Sequence, residues 1–296
     1  MQRFITLDKK IGETPLSCAE AWREAEDLDK DIPLAYAGRL DPMASGKLLV
    51  LIGDECKNQT NYHNLDKAYD FSVLLGVESD SLDVLGRLTP CSSPATRSDE
   101  SSDSLSERVN HGLAASSALE GSESELVAHI NKLTASLVGK IKLPYPRFSA
   151  KTVQGKPLHM WTLEGRLDEI EIPTKESEIY SLEFTKLETL TREQVADQAR
   201  AKIDTIPEVT DPRKALGNDF RRGDVRKDWE NIKNDDSLPS TYLITHFHCI
   251  ASSGTYMRTL ASIIAEKLGT CGLAWHIHRT NIGEYGFKNS CWQKEY

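Results

Sequence analysis

Between Gly46 and Gly53 the chain runs Lys-Leu-Leu-Val-Leu-Ile. An apolar run of this length, bounded by glycines, predicts a buried strand over 47–53. A chain that must bury such a strand has to build an apolar sheet around it. The run is too short to cross a membrane, and no run of about 18 apolar residues occurs elsewhere, so a transmembrane helix is not expected. With 296 residues, 39% of them hydrophobic, the chain can form a single large domain with its own core. The start, MQRFITLDKKIGE, has no apolar segment of the signal-peptide kind, so the expected setting is the cytoplasm. Six cysteines lie at 18, 56, 91, 249, 271 and 291, with no C-x-x-C pair, and are expected as reduced thiols.

Other segments show strand or helix periodicity. YDFSVLLG (69–76), EIYSLEFTKLETL (178–190) and YLITHFHCIAS (242–252) read as strands. Residues 125–138 and 192–203 read as helices, and SGTYMRTLASIIAEKLG begins a helix that stops at Gly269. After the first short strand a helix is expected, with Ser17 as N-cap and Glu20 completing a capping box. Residues 91–125 hold 11 serines and no aromatic residue. Such a stretch cannot bury enough surface to offset its ordering entropy, so 88–125 is expected as a disordered insertion. Residues 191–240 read as a second, polar insertion, helical around 221–233. The expected class is α+β.

The net charge of −9 argues by itself against a nucleic-acid partner. Its distribution argues otherwise. Residues 91–125 carry seven acids against two arginines, whereas 139–163 carry Lys140, Lys142, Arg147, Lys151 and Lys156 with no acid. A basic strip therefore survives inside an acidic chain.

Three local patterns could carry chemistry. In GRLDPMASG (38–46), Pro42 biases Asp41 away from helical geometry, and the flanking glycines permit a tight loop. The loop would hold one carboxylate at the mouth of the sheet, where it can serve as a nucleophile; a plain Asx turn is the alternative. Lys67-Ala68-Tyr69 enters a strand, and alone it means little. Arg258, near the start of its helix, gains nothing from the helix dipole there and calls for a carboxylate or phosphate partner.

Taken together, five stretches resemble the TruB-type pseudouridine synthases in that family's order. They are LDKKIGETPLSCAEAW, AGRLDPMASGKLLVLIG, KAYDFSVLLGVESDSLDVLG, PRFSAKTVQGKPLHMWTLEG and SSGTYMRTLASIIAEKLGTCGLAWHIHRTNIGEY. The resemblance implies the pseudouridine synthase fold: a central mixed, mostly antiparallel sheet flanked by helices, with an inserted RNA-gripping segment at 126–165. It implies conversion of the T-loop uridine of transfer RNA to pseudouridine by base flipping, without metal or organic cofactor. The sequence does not give the oligomeric state, and a monomer is the simplest expectation.

By position, Asp41 matches the family's catalytic aspartate. Tyr69 matches the tyrosine that stacks on the target base and assists proton removal, and Arg258 the arginine paired with the aspartate. Lys67 belongs to the same motif as Tyr69. Ile277 and Tyr256 match residues at the uracil pocket, and Asp83 an aspartate contacting a neighbouring flipped nucleotide. Phe148 and Lys151 fall in the gripping segment. Tyr36 stands where the family has a histidine that helps to place the flipped base. Leu143 replaces a common glutamine, Thr152 a lysine and Ser253 another lysine. The family's PUA domain is expected to be absent, because the sequence ends soon after Phe287. A catalytically silent tRNA-folding helper, or a synthase acting on other RNA, remains open on sequence.

Overall fold

The computed structural model describes residues 3–91, 123–207 and 221–296. The elements in chain order are β1 (Phe4–Lys9), α1 (Pro15–Ala25), β2 (Leu34–Ala37), β3 (Ala44–Ile52), β4 (Asp66–Leu75), β5 (Val77–Ser79), β6 (Leu88–Pro90), α2 (Glu123–Leu137), β7 (Gly139–Pro144), β8 (Thr152–Val153), β9 (Lys156–Pro157), α3 (Leu158–Leu163), β10 (Thr174–Thr191), α4 (Arg192–Asp204), α5 (Arg222–Asn234), β11 (Thr241–Ala251), α6 (Met257–Lys267), β12 (Gly272–Gly286) and β13 (Cys291–Glu295). A 3-10 stretch, Gly53–Tyr62, follows β3.

Nine strands form one sheet in the order β1-β3-β12-β4-β11-β10-β7, with β2 on β3 and β13 on β12. Only β3 and β12 run parallel; the other pairings are antiparallel. This is the mixed, mostly antiparallel α+β sheet that the sequence predicts.

The apolar run became the centre of β3, and Leu48, Leu49, Val50 and Leu51 are fully buried. They alternate between two small clusters, one with Cys18 and Ala19 of α1, the other with Tyr62 and Ile282. The main core lies between the sheet and helices α2, α4, α5 and α6. The 191–240 stretch therefore contains two packed helices. Val195, Ala196, Ala199, Val225 and Trp229 are fully buried, and the Trp229 indole donates to the Val84 carbonyl at 3.1 Å.

Three local expectations need correction. The first helix begins at Pro15, and Thr14 is its N-cap, with Ser17 closing the capping box. Proline has no N–H to lose and a preset φ, so it fits the first helical position better than the interior. Glu20 instead accepts from Arg23 Nε at 2.9 Å. Second, not all cysteines are thiols. Cys91 and Cys271 are bonded, with Cα atoms 5.7 Å apart across a separation of 180 residues. Spacing gave no cue, because the pairing depends on the loop after α6 reaching the end of β6. Third, the serine-rich stretch lies almost wholly outside the described residues, but its last three, 123–125, open α2.

No helix among the described residues is long and apolar enough to cross a membrane. The sheet face away from the cleft carries His246, His248, His276 and His278 around Asp70 and Ser72. Burial pushes the His276 imidazole down to about 4, helped by Lys202, His278 and His246 and opposed by Asp70. A group neutral in the fold but titrating near 6.5 when unfolded takes its proton only on unfolding. Its contribution is complete above pH 6.5 and is lost as pH falls towards 4. Melting temperatures across that window should fall less steeply in His276→Gln than in the native protein.

Candidate active site

The loop carrying Asp41 is held by buried cations that reach backbone carbonyls. Arg279, 1% exposed, donates from Nε to the Lys47 carbonyl at 2.7 Å and from Nη2 to the Gly38 carbonyl at 3.2 Å. Lys9, fully buried, donates from Nζ to the Ala44 carbonyl at 2.5 Å and the Lys10 carbonyl at 3.0 Å. Burial pushes the Lys9 amine down to about 8. The loop closes on itself through Ala44 N–H to the Asp41 carbonyl at 3.0 Å, and Gly12 N–H caps the Pro42 carbonyl at 2.8 Å. Gly46, at φ +102°, lies so close to β12 that a Cβ there would stand 2.3 Å from the Arg279 carbonyl oxygen. Only glycine fits such a site.

Asp41 is thereby presented to a cleft of about 790 Å³ whose lining includes Tyr69, Asp83, Phe148, Tyr256, Arg258 and Ile277. Arg258, on the first turn of α6, is 3% exposed. Its Nε lies 2.7 Å from Asp41 Oδ2 and 3.8 Å from Asp83 Oδ2. Its Nη1 donates to the Ser81 carbonyl at 2.9 Å and its Nη2 to the Phe148 carbonyl at 3.1 Å. Burial disfavours the guanidinium charge, but Asp41 and Asp83 outweigh it, and the group is held above its ordinary range. The carboxylate that the sequence position of Arg258 calls for is therefore present, and there are two of them.

Tyr69 lies on β4 between Cys249 of β11 and Arg279 of β12. Burial raises its phenol, opposed by the charge and hydrogen bond of Arg279. Ile277 pairs with Ala44 on one side and Phe71 on the other, which sets its side chain on the cleft face with Arg279 two residues on. Tyr256 packs edge-on against Tyr145, ring centroids 5.4 Å apart, and burial pushes its phenol up to about 12. Lys67 is buried at the cleft wall and donates to the Leu65 carbonyl. Burial and Arg279 push its amine down to about 8.

Asp83 lines the cleft at depth. It is 4% exposed; its Oδ1 accepts from Ser81 Oγ at 2.6 Å and Leu85 N–H at 3.0 Å, while Oδ2 faces Arg258. Burial raises its carboxyl, opposed by Arg258 and Ser81. Tyr36 is the one predicted site residue that does not line the cleft. It pairs with Val50 on β2, packs on the Cys18–Val50 cluster, and has the Arg39 guanidinium 5.9 Å from its ring.

Residues 145–163 form a strap over one side of the cleft. Leu158 N–H to the Lys151 carbonyl (2.8 Å) and His159 N–H to the Ser149 carbonyl (3.2 Å) fold it back on itself. Trp161 donates to the Val153 carbonyl at 3.2 Å, with Lys156 Nζ 4.4 Å above its ring. Phe148 and Lys151 both line the cleft.

Sequence reading assigned no role to Lys9, Arg221 or Arg279. Lys9 and Arg279 had a signal, since they lie in the first and fifth of the motif stretches. Arg221 had none. The lining holds six cations, Arg39, Lys67, Lys151, Arg221, Arg258 and Arg279, against two carboxylates, Asp41 and Asp83, with Arg221 also paired to Asp80 behind it. The cleft is thus locally cationic in a chain of net charge −9, and local potential rather than the sum steers a polyanion. Among the described residues, no group of three His, Cys, Asp or Glu side chains is placed to hold a metal ion.

Residues 33–122 match the family model described as TruB family pseudouridylate synthase (N terminal domain). The chain is 25% identical over 288 residues to "tRNA pseudouridine synthase B" of Caldicellulosiruptor saccharolyticus, covering 97% of this chain and 70% of that protein. It is 25% identical over 281 residues to the protein of the same name from Aromatoleum aromaticum, covering 95% and 63%. Among solved structures, a chain from "Crystal Structure of a Cbf5-Nop10-Gar1 Complex" aligns with a TM-score of 0.46 and 16% identity, over 95% of this chain and 49% of that one. With the motifs in family order and these matches along nearly its whole length, the chain is similar to the TruB-type pseudouridine synthases.

Proposed function

We propose that the protein is a tRNA pseudouridine synthase acting on a uridine of the T-loop. The observation that carries this reading is the Asp41–Arg258 pair, 2.7 Å apart at the mouth of a cationic cleft that also holds Tyr69. The uridine leaves its stack at a cost of a few kcal/mol and enters the cleft. Stacking on Tyr69 returns about 1–3 kcal/mol of that cost. The Asp41 carboxylate acts on the flipped nucleotide while C1′–N1 breaks and C1′–C5 forms. C5 then releases its proton and N1 takes one up, so the reaction is an isomerisation. Arg258 orients Asp41, and Asp83 does its work through Arg258 as a second countercharge.

Lys151, Phe148 and the strap grip the RNA, with Lys67, Tyr256 and Ile277 shaping the base pocket. We place Tyr36 behind the loop, supporting Arg39 rather than the base. The protein is proposed to act as a monomer in the cytoplasm.

The decisive experiment is tritium release from a T-stem-loop transcript labelled at uracil C5. Release by the native protein and none by Asp41→Asn is expected. Release by neither, with the RNA still bound, would overturn the activity. Tyr69→Phe should lower kcat by about 100-fold and leave KM within about threefold, since proton transfer is lost while the stacking ring remains. An unchanged kcat in single-turnover assays would remove Tyr69 from proton transfer.

A further inference from the structure

Two segments meet over the cleft: the turn 79–88, which carries Asp83, and the strap, which carries Phe148. Arg258 ties them together through their backbones, donating to the Ser81 carbonyl at 2.9 Å and the Phe148 carbonyl at 3.1 Å. A second arginine ties the same two segments through their side chains. Arg221 Nη2 donates to Asp80 Oδ1 at 2.9 Å, and Nη1 pairs with Asp80 Oδ2. The same guanidinium lies over the Phe148 ring, 4.4 Å from its centroid.

Arg221 stands immediately before α5, within the 191–240 stretch that matches none of the five family motifs. That helix is anchored to the turn independently. Arg87 donates to Asp228 Oδ2 at 2.6 Å from Nε and to Asp228 Oδ1 at 3.2 Å from Nη2, and Leu88 N–H donates to Asp228 Oδ2 at 3.1 Å. Asp80 Oδ1 also accepts from Arg87 N–H at 3.0 Å. The ring of contacts closes: helix to Arg221, Arg221 to Asp80, Asp80 to Arg87, and Arg87 back to the helix. A guanidinium suits this post because it is planar, offers bidentate donors and stacks on an aromatic face.

We propose that Arg221 is a positioning residue, which fixes the Phe148 ring and the strap over the cleft for the RNA. The assignment rests on the RNA-modifying reading above. Arg258 holds the strap's backbone beside Asp41. Arg221 sets where the Phe148 ring stands, and so how the strap meets the nucleotides flanking the target. Its loss should therefore weaken substrate capture more than the chemical step.

The test uses the full chain in two arms. In the first, amide hydrogen exchange of the free protein is compared between native and Arg221→Ala. Exchange should rise at least about fivefold in 145–151 and in 79–86, with 222–234 still protected. Equal protection of 145–151 would overturn the clamp, and loss of protection along 222–234 would mean that Arg221 merely holds its helix. In the second arm, KM for a T-stem-loop transcript should rise about tenfold in Arg221→Ala while kcat stays within about threefold. Arg221→Lys should recover only part of this, because a lysine keeps the charge but not the planar stack. The double variant Arg221→Ala/Phe148→Leu should be no worse than the poorer single one. An active enzyme whose KM is unmoved by Arg221→Ala, or whose two single effects multiply, would overturn the positioning role. If the native protein forms no pseudouridine at all, the functional reading falls, and the exchange arm still decides the clamp.

Discussion

Asp41→Ala should abolish pseudouridine formation, lowering turnover by about 10,000-fold or more, because an acting carboxylate has no substitute in the cleft. The same change should cost little stability. Asp41's side chain is 40% exposed, and after its removal Arg258 still faces Asp83 at 3.8 Å, so no cation is left without a countercharge. The loop itself is held by Lys9, Arg279 and Gly12 through backbone carbonyls, none of which involves the Asp41 side chain. RNA affinity should therefore remain within severalfold of native, measured by filter binding beside single-turnover kinetics. A loss of affinity of about 100-fold would show that Asp41 builds the cleft instead of working in it.

Arg258→Met should have the largest effect on stability. The substitution removes the donors to the Ser81 and Phe148 carbonyls and leaves the buried Asp83 without its cation. Breaking a buried pair by deleting one partner costs about 3–5 kcal/mol. Urea unfolding should show a loss of this size. Adding Asp83→Asn should recover a good part of the stability, because the amide keeps an oxygen for Ser81 and Leu85 but carries no charge. It should recover none of the turnover, because Asp41 still lacks its partner. If Arg258→Met unfolds at the native midpoint, Asp83 is not balanced by Arg258 and its proposed indirect role fails. If the double variant regains turnover, Arg258 serves stability alone.

The placement of the candidate site was legible where it depends on short stretches of chain. Gly38–Gly46 announces a tight loop that displays Asp41, and the structure has that loop. Tyr69 and Ile277, singled out by the motifs, share the cleft; that Ile277 lies on a strand beside Tyr69's was not read from the sequence. Arg258 was marked by what its helix position failed to explain. Other expectations went astray where a local pattern had two solutions. Ser17 and Thr14 both suit a helix cap, and Pro15 decided between them. Tyr36 occupies a position expected at the base, but its strand register turns it to the Cys18–Val50 cluster.

By itself, then, the sequence brought out many of the strands and helices, the resemblance to the TruB type and the three candidate groups at the centre of the cleft. These rest on side-chain periodicity and turn geometry, which act over a few residues. Only the tertiary structure decided which groups hold those three in place. The parallel pairing of β3 with β12 carries Arg279 beneath the Asp41 loop. The packing of α5 on the turn at 79–88 brings Arg221 to Phe148, and the loop after α6 brings Cys271 to Cys91. Contacts between residues so far apart in sequence depend on register and helix packing, and no local pattern encodes either.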